Sequence, residues 1–119
     1  AAAADTALRK GNCPGWMHGM PHAAKDLSGV EGIISTSGSP ILTDNIAKSD
    51  SIFVERIRQQ GEIFIGKTSV PRFGLSSQSY NPVFGVTRNA HHPALCAGRS
   101  GGAAVGLASQ MLPVADLAT

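Results

Sequence analysis

The stretch that decides the fold spans residues 97–112 and reads Ala97-Gly98-Arg99-Ser100-Gly101-Gly102-Ala103-Ala104-Val105-Gly106-Leu107-Ala108-Ser109-Gln110-Met111-Leu112. A glycine-serine loop leads here into a nearly all-apolar segment. A helix that is apolar on all sides is a buried one, and glycine allows close backbone approach because it lacks a Cβ atom. The pattern predicts a buried helix over residues 100–111 that brings the Ser100 hydroxyl inside a domain. Burying a hydroxyl is costly without partners, which favours a functional site over simple helix–sheet packing.

The bulk composition narrows the function classes. A chain of 119 residues is long enough for one small domain with a core. The net charge of +2 is too small to indicate nucleic acid or an anionic membrane as a partner. An aromatic content of 5% also disfavours surfaces that stack on bases. No stretch approaches the roughly 20 apolar residues of a membrane span. We therefore expect neither a nucleic-acid nor a membrane partner, and the oligomeric state stays open.

Two cysteines and the first residues bear on the compartment. Cys13 and Cys96 lie far apart in the sequence, and we expect free thiols in a reducing, cytoplasmic compartment, with a disulfide as the alternative. Residues 1–4 are alanines without the basic leader or the long apolar core of a signal peptide.

The remaining apolar pattern predicts alternating strands and helices. Residues 21–27 predict a buried strand, and residues 49–60 predict a surface helix that ends at Gly61. Strand, helix and strand in this order indicate an α/β architecture. The other predicted elements are a short helix at 6–10, a strand at 33–36, a strand at 62–66, a helical turn at 70–75 and a strand at 114–119.

Two details of this pattern can be tested. In the surface helix, Asp50 or Ser51 can cap the first turn, and an apolar face is formed by Ile52, Phe53 and Ile57. The last predicted strand begins at Val114 and reaches the final residue of the chain. We therefore expect residues 1–119 to be a fragment of a single domain.

One stretch formally matches a nucleotide-binding motif. Residues 61–68 read Gly61-Glu62-Ile63-Phe64-Ile65-Gly66-Lys67-Thr68, which fits G-x-x-x-x-G-K-[ST]. That loop must follow a strand and open a helix, so that its backbone N–H groups face the phosphates. Here a predicted helix precedes the first glycine, and the middle residues favour a strand. We therefore expect neither nucleotide binding nor a cofactor.

The histidines offer a weak case for a metal. His18 and His22 have the spacing of two ligands on one helix, but Gly19 and Pro21 between them disfavour a helix. A second pair, His91-His92, lies in a predicted loop before a proline. We interpret these histidines as polar loop residues and expect no metal.

Lys25 carries the strongest chemical signal outside the glycine loop. Small residues flank it within the predicted strand 21–27. Burial lowers the pKa of a lysine, because desolvation disfavours the charged form, and a neutral lysine is a general base. The alternatives are a salt bridge to a carboxylate elsewhere in the chain or exposure at the end of the strand. The residues alone leave these interpretations open.

Several ordered blocks together resemble the amidase signature family. Its opening pattern, hG(I/M)P…KD, is similar to Gly15-Trp16-Met17-His18-Gly19-Met20-Pro21…Lys25-Asp26. Its GS segment resembles Gly38-Ser39-Pro40, and its v.rlr..GaiiiGKtn block resembles residues 54–68, with Pro71 and Phe73-Gly74 following. Its N…fG.trN block resembles Asn81-Pro82…Phe84-Gly85…Thr87-Arg88-Asn89 and precedes a GGSSGG loop. The resemblance covers residues 15–119.

This resemblance implies an α/β/α core, with a mixed sheet flanked by helices. It also implies an amide hydrolase with a Ser–cis-Ser–Lys triad. Lys25 matches the family's base, and Ser100 is the candidate for the bridging serine, which follows a cis peptide bond in the family. Gly98, Gly101 and Gly102 match the loop around that serine. The nucleophilic serine belongs to a D.GGS.R block that would follow residue 119. The implied partner is a small-molecule amide, and we expect the 119 residues alone to be inactive.

Two residues depart from the family pattern. Counting back from Gly101 and Gly102 without a gap puts Arg99 at the bridging position and Ser100 one place later. Loss of one residue between Arg99 and Gly101 would instead leave Ser100 in the bridging role. Arg72 stands where the family usually has glutamate. These departures favour an alternative, a catalytically degenerate amidase-like protein with a binding or scaffold role.

Overall fold

The computed structural model describes residues 1–116 and shows eight regular elements joined by long loops. Two short 3-10 turns lie at Pro40–Leu42 and Arg72–Gly74. The regular elements are helix α1 (Ala2–Arg9), strand β1 (Pro21–Lys25), helix α2 (Ile52–Gln59), strand β2 (Ile63–Thr68), strands β3 (Tyr80–Asn81) and β4 (Gly85–Val86), helix α3 (Gly101–Ala108) and strand β5 (Val114–Ala115).

A parallel sheet organises the fold. Its strands lie in the order β2-β1-β5, so that β1 is central. Strand β1 pairs with β2 from Pro21 opposite Ile63 to Lys25 opposite Thr68, and with β5 at His22 and Ala23. Strands β3 and β4 form a separate antiparallel pair. The predicted α/β class with helices around a sheet is confirmed, and the strands of the described sheet are all parallel.

The two faces of β1 are covered by different helices. Ala24 packs with Val54 of α2 in a buried cluster. Side chains alternate between the faces of a strand, so Ala23 faces the other way, where it lines a cavity together with Gly102 and Val105 of α3. Small side chains on β1 therefore let α3 lie close to the sheet, and the last residue of β1, Lys25, is turned towards α3.

The predicted helices are present with different ends and different packing. Helix α2 follows Ser51, which makes no side-chain capping bond, and Gly61 has the expected positive φ of 89°. Its fully buried residue is Val54, whereas Ile52 of the predicted apolar face is 71% exposed. Asp50 does not cap the helix, because its carboxylate accepts hydrogen bonds from the Glu31 backbone N–H at 2.7 Å and from Arg58.

Helix α3 is shorter than predicted and leaves Ala104 and Ala108 exposed along one side. It spans Gly101–Ala108 instead of residues 100–111, and its buried residues are Gly101, Ala103 and Gly106. The prediction of burial on all sides was wrong because alanine and glycine count as apolar whether or not they are packed. Within residues 1–116, none of the helices is long and apolar enough to cross a membrane.

The predicted strands are confirmed in part. Strand β1 ends at Lys25, two residues before the predicted end, and β2 covers 63–68. Residues 33–36 form no strand and make only an isolated bridge from Ile34 to Ile46. Strand β5 begins at Val114 as predicted, and residues 117–119 of that prediction lie outside the described residues.

The close packing of α3 on the sheet gives a first testable prediction. A Cβ atom on Gly102 would lie 2.7 Å from the Ser69 carbonyl oxygen. We expect Gly102→Ala in the full-length protein to lower the free energy of unfolding by about 1–3 kcal/mol, the usual cost of overpacking. Urea unfolding measures this change. Gly66→Ala is the matched control, because a Cβ there meets nothing within 4 Å; equal losses in both variants would contradict the packing argument.

Candidate active site

The central feature of the site is a hydrogen bond between a buried lysine and a serine. Lys25 is the last residue of β1 and is only 2% exposed. Its Nζ atom donates to Oγ of Ser100 at 2.8 Å. Ser100 immediately precedes α3, yet its hydroxyl makes no capping bond to that helix. The hydroxyl is therefore directed to the lysine instead of fulfilling the usual role of a serine at a helix start.

The surroundings of Lys25 favour its neutral form. Burial lowers the pKa of its ammonium group, the nearby Arg99 guanidinium lowers it further, and the Asp116 carboxylate opposes both effects. The net pKa is below the ordinary value for lysine. A lysine with a lowered pKa holds its proton less tightly and can accept one from a hydroxyl at a lower pH.

Ser79 holds the loop in place on both sides of Ser100. Its side chain is completely buried, and its hydroxyl donates to the Arg99 carbonyl oxygen at 2.8 Å. The Ser79 hydroxyl oxygen accepts the Gly101 backbone N–H at 2.9 Å. The Ser79 backbone N–H donates to the Gly98 carbonyl at 2.7 Å. These bonds fix the backbone before and after Ser100, so Ser79 is a positioning residue that the sequence analysis missed.

Glycine is required at the three predicted loop positions for different structural reasons. Gly98 has a φ of 83°, in the region that favours glycine. A Cβ atom on Gly101 would lie 2.8 Å from the Ser79 side chain, and Gly102 lies against the backbone of Ser69. Gly98 thus permits the turn of the loop, whereas Gly101 and Gly102 let the start of α3 pack tightly against its neighbours.

The side chains of the two arginines that depart from the family pattern contact other parts of the chain. The Nη2 atom of Arg99 donates to the Gly74 carbonyl at 3.1 Å. Arg72 is exposed and lies over the ring of Phe73, with 5.6 Å from Cζ to the ring centre. The peptide bonds of the described residues are all trans. The cis bond that the family resemblance implies before the bridging serine is therefore not found in this part of the chain.

A second polar cluster lies behind Lys25 and joins all three strands of the parallel sheet. Asp116, just after β5, accepts the Lys25 backbone N–H at 2.9 Å. His22 of β1 lies between two carboxylates: Nδ1 is 2.9 Å from Oε2 of Glu62, and Nε2 is 3.5 Å from Oδ1 of Asp116. The cluster ties the strand that carries Lys25 to both neighbours. The sequence signal that could have indicated this cluster was the presence of charged residues within predicted apolar strands.

His22 has a raised pKa although it is buried. Burial alone would lower this pKa, but Asp116 and Glu62 together raise it above the ordinary value of 6.5. Burial also raises the pKa of Glu62, against the influence of His22. Both groups therefore bind protons more tightly in the folded protein than in the unfolded chain.

The stretch that resembles a nucleotide-binding motif is part of the sheet. Residues 63–68 form β2, and no helix begins at Lys67. The Lys67 ammonium donates to Ser35 Oγ at 2.9 Å and lies 3.7 Å from Oδ1 of Asp26. Burial lowers the pKa of Lys67, and the neighbouring carboxylates oppose the shift. The lysine is thus committed to internal contacts, and Asp26 in turn accepts the Thr36 backbone N–H at 3.0 Å.

The histidine pairs considered as metal ligands do not come together in the structure. His18 lies 3.0 Å from the Ala4 carbonyl through Nε2, whereas His22 faces Glu62 and Asp116. Across residues 1–116, no group of three or more histidine, cysteine or acidic residues could hold a metal ion. His91 and His92 are exposed. Cys13 and Cys96 are both free, as predicted.

Comparison with known proteins shows the family to which this chain belongs. A family model described as Amidase matches residues 1–116, so the chain belongs to the amidase family. A glutamyl-tRNA(Gln) amidotransferase subunit from Trichlorobacter lovleyi is 39% identical over 123 residues, covering 100% of this chain and 24% of that protein. The acylamidase of Rhodococcus erythropolis is 39% identical over 75 residues, covering 63% of this chain and 16% of the relative.

Solved structures show the same fold. The native peptide amidase of Stenotrophomonas maltophilia superposes with a TM-score of 0.87 at 30% identity, covering 97% of this chain and 25% of that one. A 6-aminohexanoate cyclic dimer hydrolase complexed with substrate superposes with a TM-score of 0.80 at 29% identity, covering 94% and 24%. The chain therefore spans about a quarter of the length of the proteins that it matches over nearly its whole length.

The role of Ser79 can be tested by removing its hydroxyl. Ser79→Ala leaves the buried Gly101 N–H and the Arg99 carbonyl without this partner. We expect a loss of about 1–3 kcal/mol in the free energy of unfolding of the full-length protein, the usual penalty for a buried group left unpaired. Amide exchange at Gly101 should accelerate as well. Ser109→Ala, at an exposed serine beyond α3, is the control; unchanged exchange at Gly101 would refute the positioning role.

The raised pKa of His22 predicts a pH dependence of stability. A proton held more tightly in the folded state stabilises it. The contribution is complete below the ordinary pKa of 6.5 and is lost as the pH rises through the higher folded value. The stability difference between the full-length protein and its His22→Gln variant should thus shrink with rising pH in urea unfolding. His91→Gln, at an exposed histidine, should show no such trend. If the stability differences of both variants depend on pH in the same way, His22 is not the group responsible.

Proposed function

We propose that this chain supplies the lysine base and the bridging serine of an amide hydrolase. The observation that carries the proposal is the 2.8 Å hydrogen bond from Lys25 Nζ to Ser100 Oγ. Membership of the amidase family and the lowered pKa of Lys25 support it. A buried amine whose pKa is lowered and which contacts a hydroxyl is suited to begin a proton relay.

The proposed relay ends on a serine outside this chain. Neutral Lys25 accepts the proton of the Ser100 hydroxyl, and Ser100 accepts the proton of the nucleophilic serine that the family resemblance places after residue 119. The nucleophile's oxygen bonds to the amide carbonyl carbon. The relay then returns the proton to the nitrogen as the C–N bond breaks, leaving an acyl-enzyme. Water, deprotonated by the same relay, releases the acid and regenerates the serine.

The substrate is proposed only as a class. The relatives include an acylamidase, an indoleacetamide hydrolase and a glutamyl-tRNA(Gln) amidotransferase subunit. Their names share the chemistry of an amide bond and differ in the molecule that carries it. We therefore propose a carboxamide substrate.

The proposal predicts which side chains are essential. Lys25→Met and Ser100→Ala should each lower the rate of amide hydrolysis by the full-length protein about 10²- to 10⁴-fold, the usual contribution of positioned proton transfer. Ammonia release from a small carboxamide measures the rate. Lys48→Met and Ser109→Ala make the same chemical changes at exposed positions and should retain activity. Wild-type rates in the Lys25 and Ser100 variants, with the fold intact, would refute the relay.

A specific observation also favours the second candidate, a degenerate amidase-like scaffold. Arg99 occupies the bridging position in an ungapped count from Gly101 and Gly102, and Arg72 stands where the family usually has glutamate. A serine-directed fluorophosphonate separates the candidates. Labelling of the full-length protein that is lost in Lys25→Met indicates the hydrolase, whereas an unlabelled but folded protein indicates the scaffold.

A further inference from the structure

The Arg99 guanidinium is a cation beside the active site whose role the proton relay does not explain. Its side chain is exposed, and its Nη2 atom donates to the Gly74 carbonyl at 3.1 Å. In the described part of the chain, no carboxylate lies within ion-pair distance of it, because the ion pairs there all involve other cations. A guanidinium has five N–H donors, so most of its donor capacity remains available to a ligand.

This guanidinium lines a small polar cleft. The cleft has a volume of about 350 Å³ and is lined by Gly74, Leu75, Ser76, Ser77 and Arg99. Ser76 Oγ accepts the Gln78 backbone N–H at 3.2 Å, which leaves its own O–H to donate elsewhere. The cleft thus combines a cation with two serine hydroxyls. These groups donate hydrogen bonds to a carboxylate well.

The cleft adjoins the reacting groups. Arg99 is bonded directly to Ser100, whose hydroxyl contacts Lys25. The bonds from Ser79 fix the Arg99 carbonyl, and the Gly74 contact fixes the guanidinium. The guanidinium is also near enough to Lys25 to lower the pKa of that amine, so a group bound by Arg99 would lie close to the Lys25–Ser100 pair.

We propose that the Arg99 cleft binds a carboxylate of the substrate, so that the enzyme acts on carboxamides that carry a second, anionic group. This specificity rests on the proposed amide hydrolysis. Arg99 forms the charged hydrogen bonds, and the hydroxyls of Ser76 and Ser77 add neutral ones. Arg99 thereby serves substrate selection and takes no part in the proton relay.

A comparison of matched substrates tests the specificity. The full-length protein is assayed with glutaramate, which carries a carboxylate, and with valeramide, its neutral counterpart of equal chain length. We expect Arg99→Gln to lower the ratio of kcat/KM for glutaramate over valeramide about 10- to 100-fold, as for the loss of hydrogen bonds to a charged group. The ratio cancels any effect of Arg99 on the pKa of Lys25 that is the same with both substrates.

Arg72 provides the control for long-range charge. Arg72→Gln removes the same charge from a neighbouring cleft, which shares Leu75 and Ser76 with the Arg99 cleft. In this variant, the ratio of kcat/KM for glutaramate over valeramide should stay close to the wild-type value. Equal falls in both variants, or an unchanged ratio in Arg99→Gln, would overturn the proposed subsite.

A binding measurement separates this proposal from the proposed function. Glutarate carries carboxylates but no amide bond, so its affinity can be measured by calorimetry whether or not the protein hydrolyses anything. Weaker glutarate binding by Arg99→Gln than by Arg72→Gln supports the subsite even if Lys25→Met shows that the relay is wrong. Equal affinities in wild type and Arg99→Gln would refute the subsite and leave the relay untouched.

Discussion

The burial of the Lys25 ammonium at the end of β1 is the constraint on which the rest of the structure depends. A charged amine removed from water is costly unless polar partners replace its hydration. Ser100 supplies one such partner at 2.8 Å, and the Asp116 carboxylate opposes the loss of the proton. Both partners are far from Lys25 in sequence, so the parallel sheet and the start of α3 must form together before the amine is satisfied. Folding and the chemistry of this site thus depend on the same contacts.

The approach of α3 to β1 explains why the site is built from small residues. Ala23 and Gly102 line one cavity between strand and helix, and Gly102 has no room for a Cβ atom beside Ser69. Larger side chains would push the helix start outward and lengthen the contact between Nζ and Oγ. Ser79 then fixes the loop through its own hydrogen bonds, so that the serine hydroxyl is aimed at the lysine by the backbone instead of by its own side-chain rotamer alone.

Part of this arrangement could be predicted from the sequence, because the local patterns were strong. The predicted strand with Lys25 indicated a buried amine, and the glycine-serine loop before an apolar segment indicated a buried hydroxyl. In the structure, the Lys25 amine and the Ser100 hydroxyl are in contact. Ser79 could not be found in this way, because a serine in a loop-rich stretch has no periodicity and its partners lie about 20 residues away. The contact of His22 with Asp116 spans 94 residues. The packing of α3 was overestimated, since an alanine-rich helix does not indicate which of its sides is covered.

Arg99 and Lys25 impose one more physical condition on the site. Two neighbouring cations repel each other, and this repulsion adds to the effect of burial in favouring the neutral form of Lys25. A carboxylate bound beside Arg99 would offset the guanidinium charge and raise the pKa of Lys25 at the moment of binding. The amine would then hold a proton less tightly in the free enzyme than in the complex. The arginine that departs from the family pattern would in this way link recognition of a charged substrate to the basicity of the lysine.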